Sequence, residues 1–118
     1  MKKTIEFEVP GRPVAKERPR RGAHGNFYTP TNTREYEEAF AWQARKFRDC
    51  FPTGDLRVTM FFHFRGKPRA DADNLEKAAL DALQKAKVFG NDKQVRAVYH
   101  EWVPDSPREC TRVMIEDF

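Results

Sequence analysis

The sequence has few cysteines and no long apolar run, and both absences narrow the class of protein. Cys50 and Cys110 are the two cysteines among 118 residues, and they fit neither a metal-binding spacing nor a Cys-x-x-Cys motif. We therefore expect free, reduced thiols that serve as packing groups in a cytosolic protein. Charged residues interrupt the start of the chain, and no apolar stretch is long enough to cross a bilayer. These features predict a soluble cytoplasmic protein without a signal peptide or membrane span.

The sequence does contain enough apolar material for one core and a strongly charged surface. Hydrophobic residues make up 39% of the chain, including ten phenylalanines, and charged residues make up 34%. We expect a single domain over residues 1–118. The formal net charge of +4 fits a nucleic-acid partner, but many other proteins share such a charge. The position of the charges is therefore more informative than their sum.

Apolar periodicity predicts four strands and two helices. Alternation predicts strands over 5–9, 56–64, 95–103 and 112–115, and helical spacing predicts helices over about 33–49, capped by Asn32, and from Asp73 to a stop at Gly90. The segment 12–30 holds too many prolines and glycines for regular structure and predicts a long loop. The order β-α-β-α-β-β indicates an α+β two-layer domain with a small mixed sheet. Residues 56–103 should form a right-handed parallel crossover, and the last two strands an antiparallel hairpin.

Two aspartates precede the second predicted helix. Asp71 and Asp73 lie two residues apart, so an extended chain would point both to one side. For such a short motif the general expectation is structural, with Asp73 capping the helix and Asp71 facing solvent. The alternative is a site for a hard divalent cation, which closely spaced carboxylates favour. Asp92 could join them only if the chain after Gly90 returned to the helix start. Lys77 either pairs with Asp73 or places a cation beside a bound phosphate.

Basic residues precede this acidic motif in two runs. The two runs contain Arg12, Lys16, Arg18, Arg20 and Arg21, and then Arg65, Lys67 and Arg69. Such runs usually form a solvated surface. Here we favour contact with nucleic acid, because prolines flank the first run and the aromatic residues Phe27 and Tyr28 follow it. These two rings are equally well explained as anchors of the loop.

The sequence resembles the RusA family of Holliday junction resolvases, which are common on prophages. The resemblance is carried by segment 71–77, which reads Asp-Ala-Asp-Asn-Leu-Glu-Lys, by 80–83, which reads Leu-Asp-Ala-Leu, and by Asn91 and Asp92 with Gln94 and Val95. The segments 10–20, 28–30 and 36–37 are also similar to one branch of the family. One position departs from the family pattern, because Asn91 stands where the first of a pair of acids is found.

The resemblance implies a homodimer that cuts branched DNA. It implies that Asp71, Asp73 and Asp92 hold Mg²⁺, or Mn²⁺ in its place, and that Lys77 stabilises charge on the phosphate. The family's substrate is the four-way junction, which is resolved by paired nicks leaving 5′-phosphate and 3′-hydroxyl ends during recombination and repair. Two symmetric cuts require two active sites, which a two-fold dimer supplies. Because Asp92 matches the essential acid of the family's pair, we expect activity despite Asn91.

Three other functions are compatible with the sequence. One is a less selective nuclease acting on flaps or forks, and another is a non-catalytic protein that binds branched DNA. The third is an interaction domain in which the aspartates are only a helix cap. The nuclease interpretation depends on Asp71, Asp73 and Asp92 converging on one cation.

Overall fold

A computed structural model describes residues 3–15, 20–21, 27–28, 31–67 and 71–118. The helices are α1 (Thr31–Ala44), followed by a 3-10 turn at Arg45–Phe47, and α2 (Ala72–Lys85). The strands are β1 (Thr4–Pro10), β2 (Arg20–Arg21), β3 (Phe27–Tyr28), β4 (Leu56–His63), β5 (Val95–Val103) and β6 (Cys110–Asp117). The order of the long elements is the predicted β-α-β-α-β-β.

Four strands form a mixed sheet in the order β1-β6-β4-β5. β6 runs antiparallel to both β1 and β4, whereas β4 and β5 are parallel and are joined through α2. The parallel pairing confirms the predicted crossover between residues 56 and 103. β1 and β4 are therefore parallel to each other and finish at the same end of the sheet, where α2 begins. We call this the acid-pair end, because Asp71 and Asp73 lie at the beginning of α2.

The two helices cover one face of the sheet, as the apolar periodicity predicts. Alternate β4 residues from Leu56 to Phe62 are buried, and their neighbours face the other, open side. α2 buries the stripe Leu75, Ala78, Ala79, Ala82 and Leu83 against them. α1 adds Tyr36, Phe40 and Ala44 to the same core. The sheet is thus apolar towards the helices and largely charged on its open face.

The predicted hairpin between the last two strands is wrong. β6 lies between β1 and β4, and the connection 104–109 passes the end of β4. Backbone bonds hold this connection there, from the Asp105 N–H to the Gly66 carbonyl (2.9 Å) and from the Ser106 N–H to the Phe64 carbonyl (2.8 Å). β6 buries its core-facing residues and takes the centre of the sheet, where both of its edges are paired. β5 keeps many exposed residues and takes the edge.

Three local predictions also need correction. α1 begins at Thr31, so Asn32 lies inside the helix and is not its cap. α2 ends at Lys85, before the predicted stop at Gly90, because Lys87 adopts a positive φ of 58° that a helix cannot accommodate. The segment predicted as an irregular loop contains the short antiparallel pair β2–β3, which sets Arg20 opposite Tyr28 and Arg21 opposite Phe27.

Both cysteines carry free thiols, as expected of packing groups. Cys110 is buried in β6 and Cys50 is half-buried after α1. Within the described ranges, none of the helices is long and apolar enough to cross a membrane.

Candidate nuclease site

Asp71 and Asp73 lie together at the beginning of α2. Asp71 is the N-cap, and its Oδ1 accepts a hydrogen bond from the Asp73 N–H at 2.9 Å. Asp73 lies in the first turn, where the positive end of the helix dipole stabilises a carboxylate. The capping role therefore belongs to Asp71 and not to Asp73. Both side chains are exposed, and their oxygens are hard donors of the kind that Mg²⁺ prefers.

His100 and Glu76 complete the surroundings of Asp73, and the sequence did not suggest either. His100 is on the helix-facing side of β5, and its Nδ1 lies 2.7 Å from Glu76 Oε1 on α2. Its Nε2 lies 4.0 Å from Asp73 Oδ1. Glu76 is three residues after Asp73 and thus on the same side of the helix. No sequence signal links His100 to this helix, because the two meet only through the packing of α2 on β5.

Lys77 is exposed on the next turn of α2. Within the described part of the chain, His100 Nε2 lies 4.0 Å from Asp73 Oδ1, and Lys77 forms no ion pair with Asp73. The structural explanation for Lys77, an ion pair with Asp73, is therefore not realised. Its ammonium group stays available to an external anion.

Asp92 lies at the opposite end of the sheet from Asp71 and Asp73. It begins a 3-10 turn over Asp92–Gln94 that leads directly into β5. The beginning of β5 pairs with the beginning of β4, whereas the acid pair follows the end of β4. Among the residues described, no group of three or more His, Cys, Asp or Glu side chains lies close enough to hold a metal ion. One chain thus brings Asp71 and Asp73 together but leaves Asp92 apart.

Asn91 has a structural role that an acid would fill equally well. Its side-chain oxygen accepts from the Lys93 N–H at 2.8 Å, and Gln94 Oε1 accepts from the Asn91 N–H at 2.8 Å. This reciprocal capping box fixes the turn that carries Asp92. Asn and Asp cap with similar strength, so the asparagine leaves the position of Asp92 unchanged.

Two of the predicted DNA-binding arginines are engaged with the protein. Arg12 forms an ion pair with Glu109 at 2.6 Å and lies over the Phe64 ring. Arg65 donates its backbone N–H to the same Glu109 carboxylate and its Nε–H to the Pro107 carbonyl. Both residues lie at the acid-pair end, where β1 and β4 finish. Both side chains stay at least partly exposed, so their guanidinium groups are accessible at the same end of the sheet as the aspartates.

The remaining basic residues are described only in part. Lys67 is exposed, four residues before Asp71. The backbone of Arg20 and Arg21 forms β2. The predictions for Lys16, Arg18 and Arg69 lie outside the described residues.

Asp71 and Asp73 are both exposed to solvent. Asp73 is 80% exposed, whereas His100 and Glu76 are each 25% exposed. A groove of about 370 Å³ on the open sheet face is lined by residues such as Phe61 and Arg112 and contains none of these acids. An exposed pair of carboxylates at the same end of the sheet as basic residues suits a large anionic substrate.

The fold is a small α+β domain, and this surface, with exposed carboxylates and basic residues at one end of the sheet, suits a protein that acts on nucleic acid. The family model of the RusA endodeoxyribonucleases matches residues 10–116, which is nearly the whole chain. The chain therefore belongs to the RusA family and is an endodeoxyribonuclease of that family. A search of curated proteins finds no match.

Proposed function

We propose that this protein is a cytoplasmic, Mg²⁺-dependent endonuclease that resolves four-way DNA junctions by paired, symmetric nicks during recombination and repair. The observation that supports this most strongly is the exposed pair Asp71 and Asp73 at the same end of the sheet as Arg12, Arg65 and Lys67. This arrangement places oxygen donors for a hard cation at the same end of the sheet as basic side chains that attract phosphates. Membership of the RusA family supports the same substrate class.

The proposed chemistry is hydrolysis of a phosphodiester. The oxygen of a water molecule forms a bond to phosphorus and gives up a proton to solvent, while the bond from phosphorus to the 3′ oxygen breaks and that oxygen takes up a proton, leaving 5′-phosphate and 3′-hydroxyl ends. When bound, Mg²⁺ (or Mn²⁺) lowers the pKa of a water molecule and neutralises charge that develops on the phosphate. Asp71, Asp73 and Asp92 would hold the ion, and Lys77, which forms no ion pair with Asp73, would stabilise the charged phosphate oxygens.

A homodimer would bring Asp92 to the acid pair. β5 is an edge strand of the sheet and exposes Val98, Tyr99 and Trp102, which favours association through this edge. If two copies meet about a two-fold axis with their β5 strands antiparallel, the beginning of one β5 approaches the end of the other. Each active site would then combine Asp71 and Asp73 of one chain with Asp92 of the partner subunit. The same symmetry provides two sites for two nicks.

Cleavage of a fixed synthetic four-way junction tests this function directly. We expect the purified protein to nick opposing strands with Mg²⁺ and to be inactive in excess chelator. Asp73→Asn should abolish cleavage and leave junction binding within about threefold, because it removes a metal ligand without removing a phosphate contact. Cleavage by Asp73→Asn at the wild-type rate would refute the assigned role.

A second candidate is a non-catalytic protein that binds branched DNA, and the separation of Asp92 from the acid pair within one chain favours it. This candidate predicts tight junction binding with no metal-dependent cleavage at any protein concentration. A less selective flap or fork nuclease would instead cut those substrates as fast as the four-way junction. The same assay with a panel of branched substrates distinguishes all three functions.

A further inference from the structure

We propose that His100 is an additional ligand of the metal ion, held in place by Glu76. This inference rests on the proposed function, because it concerns the ion bound by Asp73. It adds a nitrogen donor from β5 to a site otherwise built from carboxylates. The ligands would then be His100, Asp71 and Asp73 of one subunit and the partner's Asp92. Because the three side chains of one subunit lie too far apart in the structure to hold an ion as they stand, the two exposed aspartates would have to rotate towards His100 when the ion binds.

The hydrogen bond to Glu76 determines how the His100 ring is oriented. A carboxylate only accepts hydrogen bonds, so the 2.7 Å contact requires the imidazole Nδ1 to donate to Glu76 Oε1. In the neutral ring this leaves Nε2 with a free lone pair. That lone pair faces the end of the helix where Asp73 lies. Metal-binding histidines usually donate their other ring nitrogen to a carboxylate in this way, which fixes the tautomer.

The distance between Nε2 and Asp73 Oδ1 is suited to a shared ion. At 4.0 Å the two atoms are too far apart for a hydrogen bond. Two donors about 2.1 Å from one ion are about 3 Å apart at right angles and about 4 Å apart on opposite sides. The observed separation falls at the upper end of this range. Asp73 is 80% exposed, so a small rotation of its side chain brings the oxygen closer.

The side chains around the proposed ion differ in how far they are buried. His100 and Glu76 are each 25% exposed and are packed between β5 and α2, so they are the rigid part of the site. Asp73 extends from them towards solvent. The rigid histidine would therefore position the ion, and the exposed carboxylate would adjust to it.

A nitrogen ligand changes the preference of the site among metals. Carboxylates and water suit Mg²⁺, whereas an imidazole favours transition metals. We therefore expect this chain to bind Mn²⁺ more tightly, relative to Mg²⁺, than a site built only from carboxylates.

The test uses the full-length, tag-free protein with Mn²⁺ alone and compares His100→Gln with His63→Gln. His63 is a suitable control because it is also a partly buried strand histidine, but it lies on the open face of the sheet, the side opposite α2, where its Nδ1 contacts Ser106 Oγ. We expect His100→Gln to weaken Mn²⁺ binding by about tenfold or more. Mg²⁺ binding should change by less than about threefold, since Mg²⁺ prefers oxygen ligands. His63→Gln should change neither.

Electron spin echo envelope modulation of the bound Mn²⁺ gives a readout that a structural role would not affect. We expect coupling to a directly coordinated ¹⁴N in the wild-type protein and in His63→Gln, and its loss in His100→Gln. Glu76→Gln, which keeps an acceptor for Nδ1, should retain this coupling. Bound Mn²⁺ without nitrogen coupling in the wild-type protein would overturn the proposal.

Junction cleavage distinguishes failure of this inference from failure of the proposed function. Mg²⁺-dependent cleavage by a wild-type protein that shows no nitrogen coupling would refute the role of His100 and leave the nuclease intact. Nitrogen coupling in a wild-type protein that cuts no junction would support the metal site and refute the nuclease.

Discussion

Subunits with different substitutions should restore each other's activity if each active site is shared between two chains. Asp73 is in the first turn of α2, and Asp92 lies beyond the other end of this helix. Fourteen helical residues span about 20 Å, which is far beyond the reach of one coordination sphere. We therefore expect Asp73→Asn and Asp92→Asn homodimers to be inactive separately and active when their chains are mixed.

The expected level of activity follows from counting sites. Equal amounts of the two variants, fully exchanged, give about half heterodimers. In each heterodimer one site carries both substitutions and the other carries neither. The mixture should therefore contain about one quarter of the wild-type sites. If each site lay within one chain, every site in every dimer would carry a substitution, and mixing would restore nothing.

A plasmid that extrudes a cruciform provides the assay, because it distinguishes single from paired nicks. The heterodimer has one intact site and should give nicked circles, whereas the wild-type dimer should give linear product. Asp71→Asn mixed with Asp73→Asn is the matched control, since both substitutions fall in the same half of the site and no intact site can form. Absence of nicking in a mixture whose heterodimers are detected by native mass spectrometry would refute the shared site.

Three further predictions concern stability and DNA binding. Tyr36→Phe should lower the free energy of unfolding by about 1–2 kcal/mol in urea titrations, because it removes a buried 2.6 Å hydrogen bond to Thr111. Burial raises the pKa of Tyr36 above its ordinary value of about 10. The folded state thus keeps a proton that the unfolded chain loses, so wild-type stability should fall above about pH 10, and Tyr36→Phe should lose less there. Gly90→Ala should cost about 1–3 kcal/mol, since its Cβ would lie 2.7 Å from a backbone carbonyl oxygen. Lys67→Ala should reduce the slope of log K against log salt for junction binding by about 1, and Lys46→Ala should leave it unchanged.

The parts of the fold that were predicted correctly depend on contacts close in sequence. The alternation in β4 and the apolar stripe of α2 each belong to one element, and the crossover joins consecutive elements. The place of β6 depends on its pairing with β1, in which Thr4 meets Glu116. Nothing local specifies a contact over that separation. The preference for pairing consecutive strands favoured the hairpin with β5, which the structure does not contain.

The residues of the candidate site also differ in how well their positions could be predicted from the sequence. Asp71 and Asp73 are two residues apart, so the sequence alone places them together. Glu76 and His100 are separated by 24 residues and meet only because α2 packs on β5. The position of Asp92 relative to Asp71 and Asp73 could not be predicted from the sequence, because a crossover helix carries the chain from one end of the sheet to the other. The structure confirms that separation.

The two explanations offered for the aspartate motif, a helix cap and a metal site, are compatible with each other. Asp71 uses Oδ1 for the cap, at 2.9 Å from the Asp73 N–H, and a carboxylate has a second oxygen that can bind a cation. The capping bond fixes the side chain, so that second oxygen is positioned before a metal arrives. Asparagine caps a helix about as well as aspartate, whereas it lacks the charge. Asp71→Asn should therefore keep the melting temperature within about 2 °C and still abolish cleavage. Loss of stability together with activity would show that the cap alone accounts for the residue.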